Sequence, residues 1–397
     1  ENVLHRRTNM AAKINPYLNI QCDWTEILRN SSEKVWISCS KKGSPSVYGD
    51  IRSDGERELN VTGGFEIESF DKRSITITYP EWNCSTKFLA PSNVFTNIHS
   101  KSVHGLDISP GGSLGVSTGD DGNLNVWLTS DGTIRRQLKG HVIEVTSCQF
   151  FPSGVVILTG SSDMQLKIWS AEDGSCPVTL KGHKGGITDT AIIDKGRNVL
   201  SCSRDGSVRL WDCGTATCLG VLAQCSCPIN ACAVETVNQE IGMGSREEEI
   251  SEKETGTEGK LLVIAREDKV LQAVGLYSRQ MVFEVAGSTA FNTCCFTTDV
   301  NVLAGTQDGC LYKYDIRNTK QPLSIVKTSG SSILSIVNCD NGSLVSTGDG
   351  CCFVWSEKDE QTVCFTGPDC DSVYKVRANQ GQIYTASRDA KIRRYIL

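Results

Sequence analysis

The sequence of 397 residues has no long hydrophobic run and no excess of basic side chains. Its apolar runs stay far below the roughly 18 residues that a membrane-spanning helix needs, and Leu261–Ala265 is among the longest. The first residues are charged and lack an apolar core, so they give no indication of a secretory leader. The 40 Lys and Arg against 46 Asp and Glu give a net charge of −6, whereas phosphate binding favours a basic face. We therefore expect no membrane span and no nucleic acid as the main partner.

The sequence also lacks cysteine pairs at the two-residue spacing of a zinc knuckle, although it has 19 cysteines. No two of them are separated by two residues, the usual spacing of zinc knuckles. The number is odd, Cys294–Cys295 and Cys351–Cys352 are direct neighbours, and many others lie in apolar runs. Buried reduced thiols behave as small hydrophobic side chains. This interpretation predicts a reducing compartment, the cytoplasm and nucleus, and we expect no metal and no cofactor.

Histidines are few, and three of the five recur in a regular pattern. An aspartate recurs at intervals of 42, 42, 63, 40, 41 and 40 residues, at Asp121, Asp163, Asp205, Asp268, Asp308, Asp349 and Asp389. Six residues after these stand Trp127, Trp169, Trp211, Val274, Tyr314, Trp355 and Tyr395. The first three repeats add a histidine and a hydroxyl residue, which gives three tetrads: His99, Ser117, Asp121 and Trp127; His141, Thr159, Asp163 and Trp169; His183, Ser201, Asp205 and Trp211.

A repeat of about 40 to 45 residues with Gly-His and Trp-Asp signatures is typical of WD40 blades, which have four strands each. The sequence therefore predicts an all-β fold, a seven-bladed WD40 β-propeller. In each tetrad we expect the histidine, hydroxyl, aspartate and indole to be hydrogen-bonded partners, because a buried polar group without a partner costs about 1–3 kcal/mol. The charged stretch SRDGSVRLWD at 203–212 is then a fold signature, and the His, Asp and Ser of each tetrad have a structural role.

We expect the last blade to lack an outer strand of its own, because Leu397, the last residue of the sequence, stands two residues after Tyr395. The segment NVFTNI, residues 93–98, stands before His99 in the same register as the outer-strand segment PVTLKG before His183. An unpaired edge strand is a liability for aggregation. We predict that residues 93–98 supply the missing strand and close a propeller that comprises residues 84–397.

Two parts of the chain lie outside the repeats. Met10-Ala-Ala resembles a natural start, so residues 1–9 are expected to be disordered upstream sequence. Residues 10–83 combine one short helical segment, with Asp23 as its N-cap, and four strand-like runs, which predicts a small α+β domain. The third repeat interval, from Asp205 to Asp268, is about 22 residues longer than its neighbours. The residues at about 238–259 are mostly charged, so they bury too little apolar surface to offset the conformational entropy lost on ordering. We therefore expect a disordered acidic insert there.

Candidate partner-binding positions flank the repeated aspartates and the starts of the innermost strands. We expect them on one rim of the propeller, and the same rim includes both signs of charge, which suits a protein partner. These candidates are Ser102, Asp120, Glu144, Ser162, Gly186, Arg204, Glu267, Gln307, Ser372 and Arg388.

Several stretches outside the general blade consensus carry a closer resemblance. They read DWTEILR at 23–29, STKFLAP at 85–91, GHKGGITDTAIIDKGRNV at 182–199, SRQMVF at 278–283, GTQDG at 305–309 and DCDSVYKV at 369–376. From Met10 onward the chain resembles the proteasomal ATPase-associated factor family. The resemblance implies a chaperone for the 19S regulatory particle of the proteasome. Such a protein binds the C-terminal domain of a base ATPase subunit before the base engages the 20S core, and is a negative regulator of the proteasome. We expect a monomer before complex formation.

Two other function classes were weighed. WD40 substrate receptors of cullin-type ubiquitin ligases resemble one another in a Trp-Asp-x-Arg ending; here Trp211 is followed by Asp-Cys-Gly and Tyr314 by Asp-Ile-Arg. This partial match leaves a ligase receptor or scaffold as the alternative. No phosphate-binding glycine loop or unassigned histidine–nucleophile pair is visible in the sequence, and His104 is interpreted as a structural residue. We therefore predict that the protein is not an enzyme.

Overall fold

The computed structural model describes residues 12–29, 33–53, 59–237, 241–245, 251–356 and 361–397. In these residues the regular structure is almost entirely β-strand, with one α-helix, α1 Trp24–Ile27, and one 3-10 helix, Pro80–Trp82. No described helix has both the length and the apolarity to cross a membrane. Residues 1–9, which the sequence analysis expects to be disordered, lie outside the described part of the chain.

Nine strands precede the first complete blade. The bounds are β1 Lys13–Ile14, β2 Tyr17–Ile20, β3 Lys34–Ser40, β4 Val47–Ser53, β5 Leu59–Val61, β6 Glu66–Phe70, β7 Ser74–Tyr79, β8 Cys84–Leu89 and β9 Asn93–Phe95. Strands β2 to β5 form one antiparallel sheet, and β6 to β8 form a second antiparallel group. Alternating apolar residues such as Val35, Ile37, Ile75 and Ile77 are fully buried between them, as expected when one face of each sheet covers a core.

The seven predicted repeats form seven sheets that each contain four antiparallel strands in the described residues, and strands of the N-terminal region are added to two of these sheets. This arrangement confirms the propeller. Blades one to three are β10 Val103–Ile108, β11 Leu114–Gly119, β12 Leu124–Leu128 and β13 Ile134–Gln137; β14 Val145–Phe150, β15 Val156–Ser161, β16 Gln165–Ser170 and β17 Val178–Lys181; β18 Ile187–Ile193, β19 Asn198–Ser203, β20 Ser207–Asp212 and β21 Thr217–Gln224. Blade four is β22 Ile229–Thr236, β23 Lys260–Arg266, β24 Val270–Gly275 and β25 Met281–Ala286.

Blades five and six continue the same order. They are β26 Phe291–Phe296, β27 Asn301–Thr306, β28 Cys310–Asp315 and β29 Ser324–Lys327; β30 Ile333–Cys339, β31 Gly342–Thr347, β32 Cys352–Trp355 and β33 Gln361–Phe365. Blade seven has β34 Val373–Asn379, β35 Gln382–Ser387 and β36 Ile392–Ile396, with β9 as its outer strand. The innermost strand of each blade packs against that of the next, and β34 packs against β10, so the ring is closed.

The closing strand is shorter than the segment predicted for it. Strand β9 pairs antiparallel with β36 through Asn93, Val94 and Phe95, and residues 96–98 leave the blade to lead into His99. The carbonyl of Ile98 instead accepts a hydrogen bond from Asn125 of blade one, at 2.8 Å. The outer strand of blade seven is therefore paired through three residues, and the Phe95 ring packs on the Trp127 indole at 5.2 Å between centroids.

The N-terminal region differs from the predicted α+β domain of residues 10–83. It has a single four-residue helix in its described part, and Asp23 forms no side-chain capping bond. Strand β8, assigned to the propeller by the sequence, pairs with β7 and also runs parallel to β33, so it joins the N-terminal strands to blade six. The Trp24 indole donates to Thr366 Oγ1 at 3.1 Å across this junction. Strands β6 to β8 thus extend blade six, whereas β2 to β5 form a separate sheet and β1 pairs parallel with β29 of blade five.

The insert predicted to be disordered at 238–259 is ordered in part. Residues 238–240 and 246–250 lie outside the described part of the chain. In the remainder Ile241 is buried against blade four, Thr255 N–H donates to Asn198 Oδ1 at 2.7 Å, and Glu254 pairs with Arg279 at 3.1 Å. Composition alone gave the wrong expectation here because the partners are supplied by blades three and four.

Candidate functional site

The predicted tetrads are brought together in blades one to three. In blade three the Trp211 indole donates to Ser201 Oγ at 2.8 Å, and the same oxygen lies 2.7 Å from His183 Nε2. His183 Nδ1 lies 2.9 Å from Asp205 Oδ2, and the aspartate also accepts from the Lys184 N–H. The arrangement is fully paired when the Ser201 hydroxyl donates to His183 and the imidazole donates to Asp205.

The other two tetrads repeat this geometry. His99 Nε2 lies 2.8 Å from Ser117 Oγ, and His141 Nε2 lies 2.7 Å from Thr159 Oγ1. The corresponding indoles, Trp127 and Trp169, donate to these hydroxyls at 3.1 and 2.9 Å. The imidazoles reach Asp121 and Asp163 at 3.1 and 2.8 Å. Each tetrad therefore links the loop before the blade to its second and third strands.

Burial sets the protonation of these groups. Burial lowers the pKa of His99, His141 and His183, although the aspartates act in the opposite direction. Burial raises the pKa of Asp121, but hydrogen bonds from Ser100, Asn123 and His99 outweigh it and bring the pKa to about 2. The balance favours a neutral imidazole beside an ionised carboxylate near neutral pH.

The tetrads contain the residue types of a hydrolase triad, but their hydroxyl groups are not accessible to a substrate. Ser117, Thr159 and Ser201 are fully buried, and each hydroxyl oxygen already accepts from an indole N–H. A nucleophile needs a reacting atom within about 3 Å, and the tryptophan occupies that side of each hydroxyl. The geometry is that of a structural clamp.

Blade seven holds its turn aspartate with an arginine in place of histidine, which the sequence reasoning missed. Gly367 stands 22 residues before Asp389, at the histidine position. Arg393 is buried, and its guanidinium reaches Asp389, Ser387 Oγ at 2.8 Å and the Gly367 carbonyl at 3.1 Å. A Cβ at Gly367 would lie 2.8 Å from Arg393 Nε, so the missing side chain makes room for the arginine. The available signal was the pairing of a glycine with an arginine four residues after the aspartate.

The predicted rim residues lie in equivalent places around the ring. The residue before each turn aspartate donates its N–H to the carbonyl of the residue before the innermost strand: Asp120 to Ser102, Ser162 to Glu144, Arg204 to Gly186, Glu267 to Pro228, Gln307 to Ala290, Gly348 to Ser332 and Arg388 to Ser372, at 2.9–3.1 Å. Backbone bonds therefore fix all ten predicted positions on one face, which we call the upper rim. Their side chains differ from blade to blade, so the rim can carry specificity without affecting the clamps.

The inner edge of the upper rim is tied from blade to blade. The second residue of four innermost strands donates to a carbonyl of the next blade: Thr146 to Ile187, Thr188 to Ile229, Asn230 to Phe291 and Asn292 to Ile333, at 2.6–3.1 Å. These bonds set the spacing between blades. His104 holds the same position in blade one but bonds Asp120 instead, with Nε2 and Oδ1 2.7 Å apart.

An apolar patch on blade two was not predicted. Val142 and Ile143, in the loop between His141 and β14, are 86% and 59% exposed. Met164, in the adjoining turn after Asp163, is 43% exposed. Grouped exposed apolar side chains with charged neighbours are typical of protein contact sites, and here Glu144 follows directly. The signal in the sequence was Val-Ile at loop positions that carry Ser-Lys and Lys-Gly in blades one and three.

The residues that resemble the Trp-Asp-x-Arg ending of ligase receptors are engaged in contacts within this chain. Asp212 is fully buried and accepts from Thr215 and Arg197. Arg317 donates to Asp315 Oδ1 at 2.9 Å within its own turn. The candidate arginine is therefore engaged by its neighbouring carboxylate.

The cysteines are free thiols at all 19 positions, which lie within the described residues. Burial raises the pKa of Cys148 and Cys364 to about 12, so these thiols stay protonated. Among the described residues one group of three side chains has donor atoms close enough to share a metal ion: His104, Asp120 and Glu144.

Comparison with known proteins agrees with this architecture. The model of the family "WD domain, G-beta repeat" matches residues 91–127, 130–170 and 174–212. The chain is 55% identical to proteasomal ATPase-associated factor 1 of Gallus gallus and 54% identical to that of Homo sapiens, each over 385 residues, 96% of this chain and 98% of the relative. It is 39% identical to probable proteasomal ATPase-associated factor 1 of Dictyostelium discoideum over 407 residues, 96% of each chain.

Proposed function

Because the chain belongs to the proteasomal ATPase-associated factor 1 family, we propose that it is a non-catalytic assembly chaperone of the 26S proteasome. In this proposal it binds the C-terminal domain of a base ATPase subunit of the 19S regulatory particle. While that domain is held, the base cannot engage the 20S core, so the protein is also a negative regulator. It acts as a monomer in the cytoplasm and nucleus until the complex forms.

The observation that supports this function best is the exposed Val142–Ile143 pair on the upper rim. Bonds within blade two hold the loop in place, because Val142 N–H donates to Asp163 at 3.2 Å and the Glu144 carbonyl accepts from Ser161 and Ser162. A preformed surface loses little conformational freedom on binding, which favours affinity. Apolar side chains at the centre of such a surface are the usual origin of binding energy.

Charge on the same rim supports selectivity. Glu144 adjoins the apolar pair, and Arg204 stands at the turn of the next blade. Rim charges mainly affect association rate and choice of partner. We therefore expect Glu144→Lys and Arg204→Glu to weaken binding of the ATPase without lowering the melting temperature.

Ile143→Asp tests the proposal directly. When the full-length variant is used for affinity purification from cytosol, we expect it to recover at least about tenfold less ATPase subunit than the wild type. A residue at the centre of an interface typically contributes enough for this, since a loss of about 1.4 kcal/mol of binding free energy lowers affinity tenfold. Met281→Asp is the matched control, because Met281 is 61% exposed but lies on the outer strand β25 of blade four. It should recover wild-type amounts.

The composition of the recovered material completes the test. A chaperone should bring ATPase subunits and largely exclude subunits of the 20S core. Undiminished recovery with Ile143→Asp would move the binding site away from blade two. Recovery of a ubiquitin-ligase adaptor in place of ATPase subunits would refute the chaperone function.

A further inference from the structure

We infer that His104, Asp120 and Glu144 form a binding site for a divalent transition-metal ion, Zn²⁺ by preference, on the upper rim where blades one and two meet. Their donor atoms, one imidazole nitrogen and two carboxylate oxygens, lie within 4.8 Å of one another. The site shares Asp120 and Glu144 with the proposed partner-binding rim, but the inference does not rest on the chaperone function.

The three residues come from separate segments that the fold fixes. His104 is on the innermost strand β10, and Asp120 precedes the turn aspartate of the same blade. Glu144 stands at the entrance of β14 in blade two. Backbone bonds at Asp120 and Glu144, each 2.9 Å, hold both carboxylate-bearing residues in place. The donor set is therefore positioned before any ion binds.

The imidazole is also held in orientation. Its centroid lies 4.3 Å from that of Tyr374 on blade seven, and its side chain is 23% exposed. Thus Nε2 faces Asp120 while the ring is packed on one side. In four other blades this strand position carries Thr or Asn, and its side chain bonds the next blade. In blade one the side chain at this position, His104, bonds the Asp120 carboxylate, whereas Asn230 of blade four bonds both the next blade and the Glu267 carboxylate.

Charge gives an independent argument. Within the described residues the Glu144 carboxylate makes no hydrogen bond or ion pair, yet it lies within 4.8 Å of the Asp120 group. Two carboxylates this close repel each other. A divalent cation between the three donors removes this repulsion.

The donor types indicate which ion fits. Imidazole with carboxylate suits Zn²⁺ and neighbouring transition metals, whereas Ca²⁺ and Mg²⁺ favour oxygen ligands alone. Three protein ligands leave one position of a tetrahedral Zn²⁺ for water. Coordination uses the lone pair of His104 Nε2, so in the neutral imidazole the proton resides on Nδ1. Zn–ligand distances of about 2.0–2.2 Å require the 2.7 Å His104–Asp120 contact to open slightly.

Metal titration of the full-length protein tests this site, with Glu144→Gln as the main variant. Glu144 is exposed, so the substitution leaves the fold intact, and we expect Zn²⁺ affinity by calorimetry to fall at least about tenfold, the scale on which even outer-shell changes act. His104→Gln should abolish the site. Glu267→Gln is the matched control, because Glu267 occupies the Asp120 position of blade four and bonds Asn230 at 2.8 Å. It should bind Zn²⁺ as the wild type does.

Cobalt distinguishes this site from the exposed thiols of Cys218 and Cys370. Co²⁺ held by imidazole and carboxylates gives weak visible bands without the intense charge-transfer absorption of a thiolate complex. We expect one equivalent of Co²⁺ with the weak bands, lost in His104→Gln. Equal Zn²⁺ affinity of wild type and Glu144→Gln would overturn the proposal, as would thiolate charge transfer accounting for all bound Co²⁺.

Discussion

Removing one buried hydroxyl tests whether the tetrads carry the stability of the ring. Ser201→Ala leaves the Trp211 indole N–H and His183 Nε2 without their shared partner, and Ser201 and Trp211 are fully buried, out of reach of water. An unsatisfied buried group costs about 1–3 kcal/mol, so the two together should lower the free energy of unfolding by about 2–6 kcal/mol.

This loss converts to a measurable melting shift. With an unfolding entropy of about 2.1 cal/mol/K per residue, a chain of 397 residues loses about 1.2 °C of Tm per kcal/mol when it unfolds as one unit. Ser201→Ala should therefore melt about 2–7 °C below the wild type by calorimetry. Ser201→Thr is the matched rescue, because blade two uses Thr159 in the same geometry. A Ser201→Ala Tm within 1 °C of wild type, or a threonine variant as unstable as the alanine variant, would refute the reasoning.

Two further predictions concern pH and ring closure. The lowered pKa values of His99, His141 and His183 mean that the unfolded chain binds more protons. Their contribution to stability is therefore complete above about pH 7 and is lost as pH falls from about 6.5 to the lower folded pKa values. The Asp121 contribution is lost between about pH 4 and its folded pKa of about 2. Urea midpoints measured from pH 7.5 to 5.0 check this, and a midpoint that rises on acidification would contradict it. Phe95→Ala in the closing strand should lower the free energy of unfolding by about 3–5 kcal/mol, because Phe95 is buried against Trp127. Val94→Ala, at a 45% exposed position, is the control. An equal loss of unfolding free energy in both variants would contradict the packing argument.

The repeats could be predicted because their partners recur at fixed distances along the chain. Asp205, six residues before Trp211 and 22 after His183, is placed by local strand geometry, and the bonds at 2.7–2.9 Å follow from it. Blade seven shows where such reasoning stops. The Arg393 side chain donates to the carbonyl of Gly367, which stands at the histidine position. A sequence pattern that requires histidine at that position does not identify the arginine.

The rim could be predicted only as a set of positions. Sequence spacing identified Asp120 and Glu144 as rim residues, but their proximity to His104 depends on how blades one and two pack. Likewise, the exposure of Val142 and Ile143 depends on what surrounds the loop. Hydrophobic residues in a repeat are expected inside, and only three-dimensional packing shows that these two remain outside.

The sequence by itself determined the number of blades and the clamps of the first three, because both depend on residue types at short, repeated separations. It indicated the family through a resemblance in stretches outside the blade consensus. Tertiary structure alone decided the continuation of blade six into the N-terminal strands, the partial ordering of the insert and the grouping of His104 with two carboxylates. In each of these cases the partners lie far apart in the chain, as Trp24 and Thr366 do. Their contact depends on the closed ring, which brings together segments whose separation carries no periodic signal.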